Sequence, residues 1–269
     1  MPVTPALGVV LVALGFAVGA FGTLIGAGGG FILVPLLLLA FHFPPPDAVG
    51  TSLSLVFLNA LSGSVAYLRQ RRVDLSLGWR FAAATVPGAI GGAYLTRMLS
   101  ARVFGPAFGA VLLVIAVLLF LGRTAAPSSR AGRRRIVDAG GEAHDYRVDV
   151  WRGVLVSFGV GVISSVFGIG GGIVHVPFLI VGLGLPVHVA TATSHFVLAQ
   201  MSAAGVVTHV LQGSYGVGHG LRRSLVLAAG VTVGAQAGAH WSSRVSGQLI
   251  ERLLALGLVL VSVRLALAV

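Results

Sequence analysis

Two copies of one glycine-rich stretch organise this sequence: Gly26-Ala27-Gly28-Gly29-Gly30-Phe31-Ile32-Leu33-Val34-Pro35 and Gly168-Ile169-Gly170-Gly171-Gly172-Ile173-Val174-His175-Val176-Pro177. Each copy lies within a long apolar run. Four glycines within five residues predict a local break, because each glycine costs a helix about 0.8–1 kcal/mol relative to alanine. Within a membrane, unwound backbone persists only where protein or a wet cavity surrounds it. Paired broken helices in two repeated halves therefore indicate the binding site of a transporter.

The composition is that of an integral membrane protein. Only 9% of the 269 residues are charged and 56% are hydrophobic, whereas soluble domains carry about 25% charged residues. The apolar runs are unbroken over helical lengths, unlike barrel strands that alternate over about 10 residues. We therefore predict an all-α fold, a polytopic bundle of transmembrane helices. The sequence has no cysteine, which excludes thiolate chemistry and cysteine-ligated metals.

The hydrophilic stretches divide the chain into three parts. Residues 1–122 are expected to form a first transmembrane repeat, 123–150 a flexible cytoplasmic linker, and 151–269 a second repeat. The linker is rich in glycine, serine, alanine and charge. The apolar runs predict membrane helices over 3–41, 48–68, 77–95, 103–121, 154–185, 189–211, 221–240 and 249–268, with 3–41 and 154–185 broken at the glycines.

Three pairs of matching segments occur in the same order in the two halves. Gly28 and Gly170 are offset by 142 positions. The segment Thr51-Ser52-Leu53-Ser54 matches Thr191-Ala192-Thr193-Ser194 at an offset of 140. The pair Gly88 and Gly92 matches Gly234 and Gly238 at 146, and this spacing of small residues favours close helix packing. The nearly constant offset indicates an internal repeat.

The orientation follows from arginine, since the net charge of +11 includes no lysine. We favour four crossings per half, because residues 31–41 are short for a span. The two most basic loops, residues 69–80 and 123–152, would then lie in the cytoplasm together with Arg222-Arg223 and both termini. If each broken helix instead crosses twice, each half has five crossings and the halves are inverted.

No apolar run carries a central carboxylate, which argues against a transporter of metal cations. An anion can instead be held by backbone N–H groups of unwound glycines and by the helix start that follows them. The candidate backbone donors are Gly28, Gly29, Gly30, Gly170, Gly171 and Gly172. The alternative is that these glycines only allow helices to cross closely.

Polar side chains near the breaks complete the candidate site: Thr51, Ser52, Asn59, His175, Thr191, Thr193, Ser194, His195 and Gln200. The hydroxyls could instead bond to the preceding helical turn. A protonated histidine would add positive charge or couple transport to pH, and the alternative is a neutral, hydrogen-bonded core histidine. Leu33 and Leu55 stand where the first half would repeat His175 and His195, so the halves are chemically unequal.

The two glycine motifs, followed by Val49-Gly50-Thr51-Ser52, Val73-Asp74 and Ala190-Thr191-Ala192-Thr193-Ser194, resemble the TauE/SafE family of sulfite exporters. The resemblance covers nearly the whole chain except the linker. It implies a plasma-membrane permease for sulfite, sulfonates or related organic anions. The sequence departs from the family where Gly213-Ser214-Tyr215-Gly216 replaces a second Arg72-Val73-Asp74, and where Ala27 stands at the position filled by Ile169.

We conclude that the sequence predicts a secondary transporter of small sulfur-containing or organic anions, multi-pass in the cell membrane. The first glycine motif lacks the Lys-Ser/Thr ending of a nucleotide-binding loop. The expected partners are a small anionic substrate and the lipid bilayer, with no nucleic acid; a homo-oligomer is left open. We expect no enzymatic activity, no cofactor and no metal ligands. A passive anion channel and a membrane scaffold without transport remain as alternatives.

Overall fold

The computed structural model describes residues 5–121, 130–213 and 219–266, and helices dominate it. The first half contains α1 (Pro5–Leu24), α2 (Gly30–Pro35), a π-helical turn (Leu36–Ala40), α3 (Pro45–Arg69), α4 (Leu75–Thr96) and α5 (Ala101–Leu121). The second half has the same order: α6 (Val150–Phe167), α7 (Gly172–Pro177), a π-helical turn (Phe178–Gly182), α8 (Val187–Leu211), α9 (His219–Ser242) and α10 (Gly247–Ala266). The predicted all-α class is confirmed.

Four of the described helices are long and apolar enough to cross a membrane: α1, α3, α6 and α8. They are the two helices that precede the glycine motifs and the two that follow them. The breaks separate α1 from α2 and α6 from α7, at the positions that the glycines predict.

The linker between the halves contains a β-hairpin, so the prediction of a flexible segment is wrong for residues 132–148. Strands β1 (Gly132–Val137) and β2 (Ala143–Val148) pair antiparallel. In β2 every second side chain is buried, which is the alternation of a strand with one covered face. Gly141, with φ +86°, lies in the connecting turn. Residues 123–129 of the expected linker lie outside the described residues.

The central helices α3 and α8 run antiparallel. A side chain added at Gly63, late in α3, would meet the ring of His195, early in α8. Conversely, one added at Gly205, late in α8, would meet Leu53, early in α3. Since α3 and α8 occupy equivalent places in the two halves, the halves point in opposite directions.

Each half packs its first helix against the fourth helix of the other half. Gly15 and Gly19 of α1 face Leu227 and Val231 of α9, so these helices run parallel. In the same way, Gly88 and Gly92 of α4 approach the backbones of Phe158 and Val162 of α6. The close packing expected of Gly88 and Gly92 is therefore present in the structure.

Helices α1 and α3 point in the same direction, because both run parallel to α9. Ser62 donates to the Thr232 carbonyl and Gln70 to the Ala239 carbonyl, in matching order along α3 and α9. The chain between α1 and α3 must therefore return through the bundle. This contradicts the favoured arrangement of four crossings per half with parallel halves, which treated residues 31–41 as too short for a span.

The directions of α1 and α3 also correct the prediction that the N-terminal end and the basic loop lie on the same side of the membrane. Helix α1 begins at the end of the bundle where α3 begins, and α3 finishes at the basic loop 70–74. The start of α1 and the basic loop therefore lie at opposite ends. Helix α9, which begins just before Arg222 and Arg223, also starts opposite the loop.

The structure also corrects one alignment of the halves. Helices α3 and α8 each have 25 residues, and their first residues, Pro45 and Val187, are 142 positions apart. The segments of α3 and α8 that carry the hydroxyl residues therefore align at an offset of 142 residues and not 140. The glycine breaks that precede these helices have the same offset of 142 residues. Ser52 is thus equivalent to Ser194, and His195 is equivalent to Leu53 and not to Leu55.

Candidate functional site

The two glycine breaks touch each other in the middle of the bundle. A side chain added at Gly30 would come within 2.7 Å of the Gly168 carbonyl oxygen, and one added at Gly172 would clash with the Gly26 carbonyl. Side chains added at Gly28 and Gly170 would both meet Val56 and Leu198. These two residues are each the twelfth of a 25-residue helix. The breaks therefore lie halfway along the two central helices.

The glycines adopt backbone conformations that other residues rarely reach. Gly28 and Gly29 have φ values of +74° and +80°, and Gly170 and Gly171 have +80° and +84°. Only glycine adopts this left-handed region without a steric cost. The first break is closed by hydrogen bonds from the Ala27 and Gly28 amides to the Gly22 carbonyl, at 2.8 and 3.0 Å, so the predicted donor Gly28 is already paired.

Several buried amides at the breaks have no hydrogen-bond acceptor among the described residues. They belong to Gly29, Gly30 and Phe31 at the first break and to Gly170, Gly171, Gly172 and Ile173 at the second. Buried backbone N–H groups are normally paired. Successive unpaired N–H groups form a concave surface that binds anions.

A small cavity lies against the second break. It is lined by Gly170, Gly171 and Gly172 together with three polar side chains, Thr85, His175 and Ser194. Val160, Val197, Leu198 and Met201 complete the wall. Its volume corresponds to about one water molecule.

Two hydroxyl groups beside this cavity lack partners in the described structure. Ser194 is 1% exposed and its Oγ makes no hydrogen bond. Ser164 Oγ, likewise buried without a partner, lies where a side chain at Gly171 would reach, 3.0 Å away. A buried hydroxyl without a partner costs about 1–3 kcal/mol, so these groups are suited to a bound ligand.

The equivalent surroundings of the first break are less polar. Ser52 is equivalent to Ser194, but its Oγ donates to the Gly168 carbonyl at 2.8 Å. Leu33 stands at the position of His175. Val231 stands at the position of Thr85. The backbone of Val231 packs against Gly19, just as the backbone of Thr85 packs against the equivalent Gly161. The first break has Asn59 at the position of Met201, so the polar side chains at the two breaks differ in kind and position.

His175 is fixed by two neighbours. Its Nε2 lies 3.0 Å from Ser157 Oγ, and its ring meets Phe81 edge-on at 5.7 Å between centroids. The imidazole is 2% exposed. The ring thus lines the cavity while Ser157 holds its Nε2 atom.

Asn59 and His195 lie in a separate polar cluster. The Thr23 hydroxyl donates to Asn59 Oδ1 at 2.9 Å and lies 3.4 Å from His195 Nε2. Tyr67 donates to the Thr23 carbonyl at 2.7 Å. Asn59 Nδ2 donates to the Gly19 carbonyl at 3.0 Å. These bonds join α1, α3 and α8, and none of these four side chains lines the cavity.

The remaining candidates are dispersed. Thr191 Oγ1 donates to the His188 carbonyl, the local bonding that the sequence left open. Thr193 Oγ1 accepts from the Asp74 amide at 3.0 Å. Thr51 is buried on α3, and Gln200 is partly exposed, unlike the other candidates. Of the predicted side chains, the cavity brings together His175 and Ser194.

The sequence reasoning missed Thr85 and Ser164. Each is one of several hydroxyl residues within a largely apolar helix, which alone predicts little. Thr85 is placed at the break by the packing of α4 against α6 of the other half, whereas Ser164 lies one helical turn before the break in α6. The available signal was Gly161, which allows α6 to approach the backbone of Thr85.

The hairpin is fixed to the helices by Asp74. This carboxylate accepts hydrogen bonds from Arg134 Nη1 at 2.9 Å, from the Tyr146 hydroxyl at 2.8 Å and from the Leu77 amide at 3.0 Å. Burial, together with the bond to Asp74 and its charge, raises the pKa of Tyr146, so the phenol remains a donor. Through the Asp74 amide the hairpin is also connected to Thr193 of α8.

Comparison with known proteins identifies one family over almost the whole chain. The model of the family described as "Sulfite exporter TauE/SafE" matches residues 11–265. The probable membrane transporter protein YunE of Bacillus subtilis is 32% identical, over 96% of each chain. The probable membrane transporter protein YdhB of the same bacterium is 26% identical over 84% of each. The probable membrane transporter protein MJ0441 of Methanocaldococcus jannaschii is 28% identical, over 77% of this chain and 73% of the relative. No solved structure matches the chain.

Proposed function

The chain belongs to the sulfite exporter TauE/SafE family and is a multi-pass transporter of the cell membrane; we propose that it moves small sulfur-containing or organic anions, such as sulfite or sulfonates. The observation that carries this substrate class is the set of unpaired donors at the second glycine break. Gly170, Gly171, Gly172 and Ser194 line one cavity, and their amides and the Ser194 hydroxyl have no acceptor among the described residues. An oxyanion supplies acceptors for all of them.

The absence of carboxylates near the described cavity favours an anion over a cation. Its polar lining consists of neutral donors and one imidazole. In a low-dielectric interior a bound cation would need a negative partner, whereas an anion is stabilised by N–H and O–H dipoles. Neutral donors suit small oxyanions in general, and the choice of sulfite and sulfonates follows the family.

The size of the cavity favours a carrier over a permanently open channel. Its volume corresponds to about one water molecule, and sulfite is several times larger. The anion must therefore enter when the two halves move apart, as in alternating access between inverted repeats. We propose a binding role, and no catalytic one, for the polar groups at the cavity.

We assign the hairpin end of the bundle to the cytoplasm. The loop 70–74 and the hairpin bring Arg71, Arg72, Arg134 and Arg135 to this end. Arginine accumulates in loops on the cytoplasmic side. With inverted halves, the start of α1 then faces the opposite side of the membrane.

Sulfite efflux from loaded proteoliposomes tests the proposal. The wild-type protein is expected to give flux that saturates with internal sulfite and is inhibited by sulfoacetate or taurine. Ser194→Ala should raise KM by about 10-fold or more, since a hydrogen bond to a charged group contributes about 1.5–3 kcal/mol. Absence of anion flux with a folded protein would contradict transport of this class. Flux that does not saturate would instead indicate the passive channel.

A further inference from the structure

Three potential metal ligands converge at the tip of the hairpin: Asp138, Glu142 and His144. One ligand atom from each lies within 4.8 Å of the other two. The sequence predicted no metal site, because these residues belong to a hydrophilic segment without a visible ligand motif. Pairing of the two strands brings them together.

The backbone of the hairpin explains this convergence. The Asp138 amide donates to the Glu142 carbonyl at 3.0 Å, so these residues stand opposite each other at the end of the ladder. Glu142 and His144 are two positions apart, and side chains at that spacing point to one face of a strand. Asp138 is oriented further by its own turn, since its Oδ1 accepts from the amides of Gly140 and Glu142.

His144 provides an independent indication of a ligand. Its side chain is 7% exposed, and its Nε2 has no hydrogen-bond partner in the described structure. That atom lies 3.9 Å from Asp138 Oδ2, too far for a hydrogen bond. The buried, unpaired His144 Nε2 therefore lies near Asp138 Oδ2, while Asp138 Oδ1 accepts hydrogen bonds from the amides of the turn.

We propose that Asp138, Glu142 and His144 bind a divalent transition-metal cation of the zinc class. Imidazole nitrogen together with carboxylate oxygen suits such ions. Ligand bonds of about 2.0–2.2 Å require the donor atoms to approach further. The exposed Glu142 side chain can supply this movement. Three protein ligands leave a coordination position for water.

Arg72 is the group that competes with the metal ion. Its Nη2 lies 3.3 Å from Asp138 Oδ2, the oxygen available for coordination. Two carboxylates and one arginine leave the cluster with a net negative charge when His144 is neutral, which favours a dication. Removing the Arg72 charge should therefore strengthen metal binding. If Asp138 only forms an ion pair with Arg72, the same change would remove that pair without creating any affinity for a metal ion.

The test uses the full-length protein without a histidine tag, stripped with a chelator in detergent. Titration with Zn²⁺ in a calorimeter should give about one bound ion per chain, and Co²⁺ should give a visible absorption band from the bound ion. Glu142→Gln should weaken Zn²⁺ binding about tenfold or more. It removes a charged ligand, and even the loss of a residue that orients a ligand costs about 10–100-fold in metal affinity. His144→Gln should abolish binding, and Arg72→Gln should tighten it.

Asp145→Asn is the matched control. Asp145 is a neighbouring carboxylate of the same strand, it is exposed, and its contact is with Arg135 at 4.0 Å. Its replacement should leave Zn²⁺ affinity unchanged. Circular dichroism checks that each variant is folded. Because Glu142 is exposed, Glu142→Gln should fold even if replacement of the buried His144 disturbs the hairpin. Absence of Zn²⁺ binding, or binding that His144→Gln and Glu142→Gln leave unchanged, would overturn the proposal.

Discussion

The two glycine breaks have equivalent backbones but different side chains around them. At the first break the Ser52 hydroxyl bonds to the Gly168 carbonyl, and the positions of His175 and Thr85 hold Leu33 and Val231. At the second break the Ser194 hydroxyl is unpaired and faces a cavity. The repeated backbone builds the crossing point of the bundle, while the polar side chains around the two breaks differ, and we propose that the anion binds at the second break.

Filling the second break should have the largest effect. In Gly171→Leu the new side chain enters the space between Ser164 Oγ and Met201 Sδ, each 3.0 Å from the added Cβ, at a φ of +84°. We expect sulfite flux in proteoliposomes to fall to background. Gly91→Leu is the control, because nothing lies within 4 Å of a side chain added there and the residue is exposed. Normal flux in Gly171→Leu would remove the second break from the transport path.

The two equivalent serines should respond in opposite ways. Ser194→Ala removes an unpaired hydroxyl, so thermal stability should not fall while KM for the anion rises by about 10-fold or more. Ser52→Ala leaves the buried Gly168 carbonyl unpaired, so the protein should lose about 1–3 kcal/mol of stability with little change in KM. Melting curves and efflux kinetics on both variants separate the roles. A shared phenotype would show that the two breaks are functionally alike.

A second equivalent pair, Tyr67 and His209, should differ by a smaller amount. The Tyr67 hydroxyl donates to the Thr23 carbonyl at 2.7 Å, and Tyr67→Phe should lower stability by about 1 kcal/mol. Both ring nitrogens of the buried His209 lack partners in the described structure, so His209→Phe should leave stability unchanged or raise it. A fall in melting temperature for His209→Phe as large as that for Tyr67→Phe would indicate a partner for His209.

Much of the fold follows from the sequence, since apolar length and the glycine clusters locate the helices and both breaks. The direction of the halves could not be predicted, because the short segment 31–41 does not reveal that the chain turns back. The hairpin was missed since Tyr146 and Val148 alternate with charged residues in a stretch that composition assigns to a linker. Its anchor, Asp74, lies far away in sequence.

The site was predictable in its backbone and less so in its side chains. Clustered glycines identify the breaks without any tertiary information. Thr85 comes to the cavity through packing between helices of opposite halves, which a single sequence does not display. Ser52 differs from Ser194 because it donates to the Gly168 carbonyl of the other half. An alignment of the halves at 140 residues instead of 142 also hides the equivalence of the two serines.

A cryo-electron microscopy map of the protein in saturating sulfite tests the central claim most directly. We expect one oxyanion within hydrogen-bonding distance of the amides of Gly170–Gly172 and of Ser194 Oγ, with the cavity wider than it is here. Anion density at Gly28–Gly30 instead, or an unchanged second break in a protein that transports sulfite, would contradict the assignment.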